Sequence, residues 1–366
     1  MESSNGTQIA FDSPTVKQMD ANATAAAGRL PVEKPKEKKK GRFYQYRSLI
    51  VGLFVLAGVI YFAMHIGEGE QFLRLVRHAN PIWIGIGVLY QGGTYVALGA
   101  VWWIVVRHFN VNIGLGELTC LSLAKFSLEK IIPSAGFGGS LLLVRSVEGR
   151  GAPECVAAAT LLVDVLSNYA ARAISIVLAV AIIWAVQGIS WVIVLVCVLF
   201  MVFAGGILGG IIWFTSVPLE KIPKFILKIP AVGSVVKTIS EAPPEAMHSK
   251  KLFWGATGLQ FLILLLDAAT LDAMLRSIGH SSSPEKVFAS FSIAGVASMV
   301  SLIPGGIGAF EGVQILMLGL LRVPVHAGLA ATLMLRALVL WIPMIPGFFI
   351  LRYESKHLVE KNEEQI

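Results

Sequence analysis

The sequence predicts an all-α integral membrane protein with about six spanning helices, two re-entrant Pro/Gly hairpins and an inverted internal repeat. Three observations support this fold class: long apolar runs, two shorter apolar regions interrupted by proline and glycine, and a match of the chain to itself. Hydrophobic residues make up 55% of the chain and charged residues 14%, whereas soluble domains carry about 25% charged residues. The composition therefore excludes a soluble globular fold.

Six apolar runs reach the length of about 18 residues that a spanning helix needs. A tail of 47 residues precedes the first run, which is therefore not a cleavable signal peptide. The transmembrane domain is predicted over 48–352, followed by a short tail at 353–366. The six runs are 48–66, 81–106, 154–185, 190–215, 252–276 and 325–351.

The net charge of +7 is concentrated beside the predicted membrane domain. The tail at 1–47 is predicted to be disordered, and its last part is rich in lysine and arginine directly before the first span. Because such segments stay in the cytoplasm, both termini and the lysine-rich loop at 216–251 are predicted to be cytoplasmic. No aromatic residue interrupts Lys34–Lys40, so the charge does not indicate nucleic-acid binding.

Two regions, 118–147 and 287–321, each contain two short apolar arms around a Pro/Gly centre. The first arm, 118–132, would reach about 22 Å as a helix, whereas the hydrocarbon core is about 30 Å thick. A re-entrant hairpin therefore explains both regions. The charge bias also permits two full crossings in each region, which gives a version with ten spans.

The chain matches itself without gaps when it is shifted by 171 positions. Pro133 then aligns with Pro304 and Pro153 with Pro324, so PSAGFGG lies over PGGIGAF. Three predicted spans separate the two hairpins, which would invert the second copy. Inverted repeats with broken helices are typical of transporters that bind substrate at the repeat interface. The predicted repeat cores are 118–185 and 287–351.

The segment SLIPGGIGAFEG, residues 301–312, places proline, glycine and a carboxylate between apolar runs. Proline and glycine end a helix and turn the chain, and the freed backbone groups have to be satisfied inside a cavity. A helix that begins near Gly308 would direct its N-terminal N–H groups into that cavity, where they suit a lipid phosphate. PSAGFGGS would form the equivalent site from the other leaflet. The predicted binding residues of the two segments are Pro304, Gly305, Gly306, Gly308, Glu311, Pro133, Gly136, Gly138 and Gly139.

Five charged residues are further candidates for a site inside the membrane domain. Glu311 either caps its helix or takes up a proton or a cationic headgroup. Arg336, in the last span, is expected to pair with Glu311 or with Asp164. Asp164 and Arg172 lie too far apart on their helix to pair directly. Arg145 either lies at the depth of cytoplasmic phosphates or only sets the topology. Charges at mid-membrane lock helices together or line a polar path.

The sequence predicts no metal or cofactor site, because its three cysteines are isolated from one another and from histidine. No Walker A segment occurs, so ATP is not the direct source of energy. No HExxH or nucleophile-elbow motif indicates an enzyme. Asp267 is a further charge inside a predicted span, and its role is left open.

The motif PGGIGAFE at Pro304–Glu311, with PSAGFGG, a proline-led last span and the arginine in that span, resembles the lysylphosphatidylglycerol synthase transmembrane-region family of flippase-like proteins. The resemblance covers roughly residues 45–352. It implies a membrane module that moves phospholipids, including aminoacylated ones, or lipid-linked intermediates. The chain ends fourteen residues after Arg352, so the C-terminal synthase domain of some relatives is not expected.

The favoured hypothesis is therefore a lipid translocase of a bacterial inner membrane, without enzymatic activity. Arg336 and the helix N-termini would hold the lipid phosphate while the acyl chains stay in the bilayer. The expected partners are anionic or aminoacylated phospholipids or lipid-linked sugars. Two alternatives stay open: a membrane-embedded enzyme that modifies a lipid headgroup, and an anchor for a separate synthase or glycosyltransferase at 216–251. A homodimer also stays open.

Overall fold

Eight α-helices make up the part of the chain that a computed structural model describes, which is residues 76–131, 137–187, 249–300 and 308–350 with a few isolated positions. No strand occurs in these residues, which confirms the all-α prediction. The helices are α1 (Pro81–His108), α2 (Leu115–Ile131), α3 (Phe137–Gly149), α4 (Glu154–Gln187), α5 (Lys250–Ser277), α6 (Pro284–Val300), α7 (Ala309–Leu320) and α8 (Val325–Ile350).

Four of these helices, α1, α4, α5 and α8, are long and apolar enough to cross a membrane. They confirm the four predicted spans at 81–106, 154–185, 252–276 and 325–351. Apart from isolated positions, the other two predicted spans and the tails lie outside the described residues, as does most of the loop at 216–251. The total number of crossings therefore stays a prediction.

Proline and small polar residues set where the long helices begin. α1 begins after Asn80, whose Oδ1 accepts a hydrogen bond from Ile82 N at 2.9 Å. Pro81 follows at the first position, where a helix does not need an N–H donor. α5 begins after Ser249, whose hydroxyl accepts a hydrogen bond from Leu252 N. These caps fix the residues at which α1 and α5 begin.

Each predicted hairpin region forms two short helices that pack against each other. α2 and α6 have 17 residues each, and α3 and α7 have 13 and 12. At 1.5 Å per residue these helices are about 18–26 Å long, shorter than the hydrocarbon core of about 30 Å. The arms are as short as expected, and the return of each hairpin to the side it entered from stays a prediction.

The helix boundaries repeat along the chain. α1 begins at residue 81 and α5 at residue 250, 169 positions later, and α2 and α6 keep this offset at both ends. α3 and α7 begin 172 positions apart, and α4 and α8 begin 171 positions apart. These offsets lie within two residues of the 171-position shift read from the sequence. The inverted orientation of the second copy stays a prediction.

Each half of the described chain has its own apolar core. The first core is formed by α1–α4 with the beginning of α5, and the second by α5–α8 with Ala171 of α4. α1 runs along α5 and joins the two halves. The largest fully buried side chains of the first core are Trp102, Leu118, Leu121 and Leu143, and those of the second are Leu271, Met274, Leu275, Leu318 and Leu335.

The last span contains one wide turn. α8 is α-helical over Val325–Arg336 and π-helical over Ala337–Trp341. Pro343 follows, and in a regular α-helix its ring would clash with the carbonyl of Val339, to which it cannot donate a hydrogen bond. The wide turn accommodates this proline and begins directly after Arg336. Such π-helical turns often occur at functional sites.

Candidate functional site

Two glycines shape the chain where α7 begins. Gly306 and Gly308 have positive φ angles of 62° and 89°, which residues with a Cβ rarely adopt. A Cβ on Gly306 would also collide with the side chain of Ser298 on α6. The backbone therefore requires glycine at both positions. Pro304 and Gly305 of the predicted site lie outside the described residues.

Glu311 joins the beginning of α7 to the middle of α8. Its Oε2 accepts a hydrogen bond from Gly308 N at 2.6 Å and so caps α7. Its Oε1 lies 2.6 Å from Nε of Arg336. The guanidinium of Arg336 also lies over the ring of Phe310, 4.1 Å from the ring centroid. The predicted pairing of Arg336 with Glu311 is therefore formed, and Glu311 is both a cap and an ion-pair partner.

This ion pair is shielded from the surroundings. The side chains of Glu311 and Arg336 are 7% and 11% exposed. A buried ion pair adds little stability compared with apolar packing, but removing one partner leaves a buried charge and costs about 3–5 kcal/mol. The pair therefore fastens α7 to α8 and keeps two charges inside the helix bundle.

A second charged centre joins α2, α4 and α5. Lys125 Nζ lies 2.6 Å from Asp164 Oδ2, with side chains 12% and 5% exposed, and 5.3 Å from the ring centroid of Trp102. Gln260 Nε2 donates a hydrogen bond to Asp164 Oδ1 at 2.9 Å. Of the two partners that the sequence left open for Arg336, the described structure pairs it with Glu311, and Asp164 contacts Lys125 of α2.

A third centre lies between α1 and α5, around Asp267. Its Oδ1 accepts hydrogen bonds from Gln91 Nε2 at 2.9 Å and from Thr94 Oγ1 at 3.3 Å. Gln91 also donates a hydrogen bond to Thr270 Oγ1 at 3.0 Å. Gln91 and Thr94 are buried, whereas Asp267 is partly exposed. Both hydrogen-bond donors described for this carboxylate are neutral, whereas Asp164 and Glu311 each also have a cationic group at 2.6 Å.

Arg172 of α4 lies close to this third centre. Its Nε donates a hydrogen bond to Asn168 Oδ1, one turn earlier, at 2.8 Å. Its charge and that of Asp267 attract each other, but among the described contacts the two side chains form no direct ion pair. A Cβ placed on Gly295 of α6 would lie 3.5 Å from the guanidinium. Arg172 therefore reaches from α4 to α6.

The second and third centres follow one side of α5. Gln260 and Asp267 are seven residues apart, which is about 10 Å along the axis on nearly the same face. Gln91 of α1 and Gln260 of α5 are themselves 169 positions apart, the offset of their helices. Each donates its amide N–H to a buried or half-buried carboxylate. The two halves thus place an amide donor at equivalent points.

The structure describes only part of the site predicted in the first hairpin. Pro133 and Gly136 lie outside the described residues. Gly138 and Gly139 lie in the first turn of α3, and Gly139 is buried. Arg145 is exposed on the same helix. The residues that the structure brings together in this half are instead those around Asp164.

Arg145 acts on a carboxylate at the end of α3. Partial burial raises the pKa of the Glu148 carboxyl, the nearby charge of Glu154 raises it further, and Arg145 opposes both effects. The adjacent Arg150 Nε lies 3.2 Å from Glu117 Oε2 at the beginning of α2. The contact of Arg150 with Glu117 connects the end of α3 to the beginning of α2.

Sequence reasoning missed three members of the charged centres. No role was predicted for Lys125, Gln91 or Gln260 from the sequence. The available signal was their polarity, since an isolated amide within an apolar span usually hydrogen-bonds across helices. Among the described residues, no group of three or more His, Cys, Asp or Glu side chains is placed to hold a metal.

The fold and these centres define a multi-pass α-helical membrane protein with charged side chains inside its helix bundle. The family described as Lysylphosphatidylglycerol synthase TM region matches residues 49–347. The chain belongs to this family, which confirms the resemblance seen in its motifs.

Two archaeal relatives match almost the whole of their own length. The UPF0104 membrane protein of Methanothermobacter thermautotrophicus is 20% identical over 335 residues, which cover 86% of this chain and 96% of the relative. The UPF0104 membrane protein MJ1595 of Methanocaldococcus jannaschii is 21% identical over 328 residues, which cover 86% and 95%. Both are described as membrane proteins, and they give no support to the expectation of a bacterial inner membrane.

Proposed function

We propose that the protein is a lipid translocase that moves the polar headgroup of a phospholipid or a lipid-linked intermediate across the bilayer. The observation that carries the proposal is the burial of charged centres among helices that can span a membrane. Charged groups at membrane depth are costly and commonly mark the path of a substrate or an ion.

Arg336 is the side chain best suited to hold a lipid phosphate. Its planar guanidinium can form two parallel hydrogen bonds to phosphate oxygens, and the N-terminus of α7 lies beside it. Glu311 occupies both groups in the structure. A phosphate would therefore compete with Glu311 for Arg336 and for the helix end. Exchange of one anion for another would keep Arg336 compensated while the headgroup passes.

The outer surface of the bundle suits a lipid whose acyl chains stay in the bilayer. Large apolar side chains are exposed on several of the helices, among them Leu89 of α1, Leu316 of α7 and Phe349 of α8. The side chains of the ion pairs Lys125–Asp164 and Arg336–Glu311 are nearly buried instead. A headgroup between the helices with acyl chains outside would match both surfaces.

The family supports a lipid substrate, because its description names lysylphosphatidylglycerol. We extend the proposed substrate to the class of anionic or aminoacylated phospholipids and lipid-linked sugars. A separate lipid-modifying enzyme would supply such a substrate. The protein would work in a cellular membrane with both termini in the cytoplasm, as the basic segments beside the spans indicate.

Reconstitution into vesicles with fluorescent phospholipids tests this function. External dithionite bleaches label in the outer leaflet, and label in the inner leaflet is bleached only after it has moved outward. We expect the protein to raise the bleached fraction above that of protein-free vesicles for at least one headgroup of an anionic, zwitterionic and aminoacylated series. An unchanged bleached fraction with every lipid, from folded and inserted protein, would contradict the proposal.

A further inference from the structure

We propose that Asp267 binds a proton and thereby controls whether Arg172 binds a lipid phosphate. This inference rests on the proposed function and adds an ion that would be coupled to it. The ligand of Asp267 is a proton, and the ligand of Arg172 is the phosphate of a lipid headgroup.

The contacts of the three carboxylates select Asp267 for this role. Glu311 and Asp164 each have a cationic group at 2.6 Å, so a proton on either would have to displace a direct ion-pair partner. Asp267 instead accepts hydrogen bonds from Gln91 and Thr94, both neutral. A neutral Asp267 can keep hydrogen-bonded partners, because a protonated carboxyl both donates and accepts.

Gln91 is equipped to serve either state of Asp267. Its Nε2 donates to the carboxylate, while its Oε1 is buried and has no hydrogen-bond partner in the described structure. Rotation of the amide would bring Oε1 to the carboxyl group, where it would accept the proton of a neutral acid. Asp267 itself is partly exposed. The same two residues thus suit both protonation states.

The helices around this pair carry other ionisable groups. α1 contributes Tyr95, and α4 contributes Tyr169 beside Arg172. α6 places Gly295 against the guanidinium, and its ionisable residues, Glu285 and Lys286, lie in its first turn. On α8, Arg336 is paired with Glu311. Asp267 is therefore the carboxylate that compensates the positive charge of Arg172.

The protonation state of Asp267 sets the combined charge of Asp267 and Arg172 that a bound phosphate would meet. When Asp267 is ionised, it compensates Arg172 across the gap between them. When Asp267 takes a proton, Arg172 becomes an uncompensated cation inside the bundle, which favours a phosphate. Linkage is reciprocal, so a bound phosphate would in turn favour the proton on Asp267. Lipid and proton would then bind together, and a proton gradient could drive the movement of the lipid.

Binding of a short-chain fluorescent phosphatidylglycerol to the purified protein in detergent tests the coupling. We expect the wild type to bind this lipid about tenfold more tightly in acidic than in alkaline buffer. Asp267→Asn should bind tightly in both, whereas Asp267→Glu should keep the dependence on pH. Asp272→Asn, on the same helix, is the matched control and should behave as the wild type. Arg172→Gln should lose the tight binding in acidic buffer.

An Asp267→Asn protein with the pH dependence of the wild type would overturn the inference. If that variant does not fold, the wild type alone decides, because addition of the lipid in weakly buffered solution should cause proton uptake, and its absence would overturn the proposal. Coupled binding in a protein that moves no lipid would contradict only the translocase function. Translocation that proceeds with pH-independent binding would contradict only the coupling.

Discussion

Arg336 Nε lies 2.6 Å from Glu311 Oε1, and this contact joins the middle of the last span to the first turn of α7. α7 begins directly after Gly308, and the N–H of Gly308 donates a hydrogen bond to the same carboxylate. Residues that would each be costly inside a membrane therefore stabilise one another. Their side chains are nearly buried, so the arrangement depends on the complete set.

The ion pair predicts strong coupling between its two members. Arg336→Gln and Glu311→Gln should each lower the free energy of unfolding by about 3–5 kcal/mol, because each leaves an uncompensated buried charge. The double variant should lose less than the sum of the two single variants, because both charges are gone. Unfolding in detergent, followed by tryptophan fluorescence, measures all three differences.

Glu117→Gln is the matched control for this cycle. It makes the same chemical change in an ion pair with Arg150, but the Glu117 side chain is 59% exposed. Exposed ion pairs contribute little, so its stability should equal that of the wild type. Strictly additive losses for Arg336 and Glu311 would show that the two side chains do not interact.

The glycine at the beginning of α7 predicts a local conformational effect. Gly308→Ala should destabilise the protein by about 1–2 kcal/mol, because its φ of 89° is unfavourable for a residue with a Cβ. Gly312→Ala in the same helix has open space around its Cβ and should be neutral or stabilise by up to about 1 kcal/mol. The same unfolding measurement compares them, and equal effects would contradict the described backbone.

Close packing of α1 against α2 predicts sensitivity at Gly99. A Cβ there would lie 2.8 Å from Thr119 N and 3.0 Å from Thr119 Cα, so Gly99→Ala would force the helices apart. Overpacking of this kind costs about 1–3 kcal/mol. Gly92→Ala, two turns earlier with nothing near its Cβ, is the control. A Gly99→Ala protein as stable as the control would be inconsistent with this helix contact.

The inverted repeat predicts opposite accessibility at the tips of the hairpins. In a variant without the three native cysteines, Ser134→Cys and Ile307→Cys should react with an impermeant thiol reagent from opposite sides of the membrane. Both tips lie outside the described residues, so labelling supplies independent information. Labelling of both from the same side would rule out the inverted arrangement.

Much of the fold could be predicted because hydrophobicity alone marks it. Four predicted spans agree with α1, α4, α5 and α8 to within a few residues. A run of about twenty apolar residues is the length that a helix needs to cross the hydrocarbon core. Gly308 and Glu311 were placed correctly because glycine and an early carboxylate mark the beginning of a helix.

The charged centres were harder to predict because their partners are distant in the sequence. Lys125 contacts a residue 39 positions away, and Gln91 contacts one 176 positions away. Periodicity reports which face of a helix is apolar, but it does not say which helix lies opposite. The wide turn after Arg336 was also missed, since its cause, the ring of Pro343, acts on the preceding turn of an otherwise uniform apolar run.

The most direct test of the account is the rate of lipid translocation by matched variants in proteoliposomes. At equal amounts of folded and inserted protein, Arg336→Gln and Glu311→Gln should slow the bleaching of inner-leaflet label by roughly tenfold or more, as expected when a bond to a charged group is lost. Glu117→Gln should translocate lipid as the wild type does. Wild-type rates in both Arg336→Gln and Glu311→Gln would contradict a role of this ion pair in binding the headgroup. The pair would then serve only to hold α7 against α8.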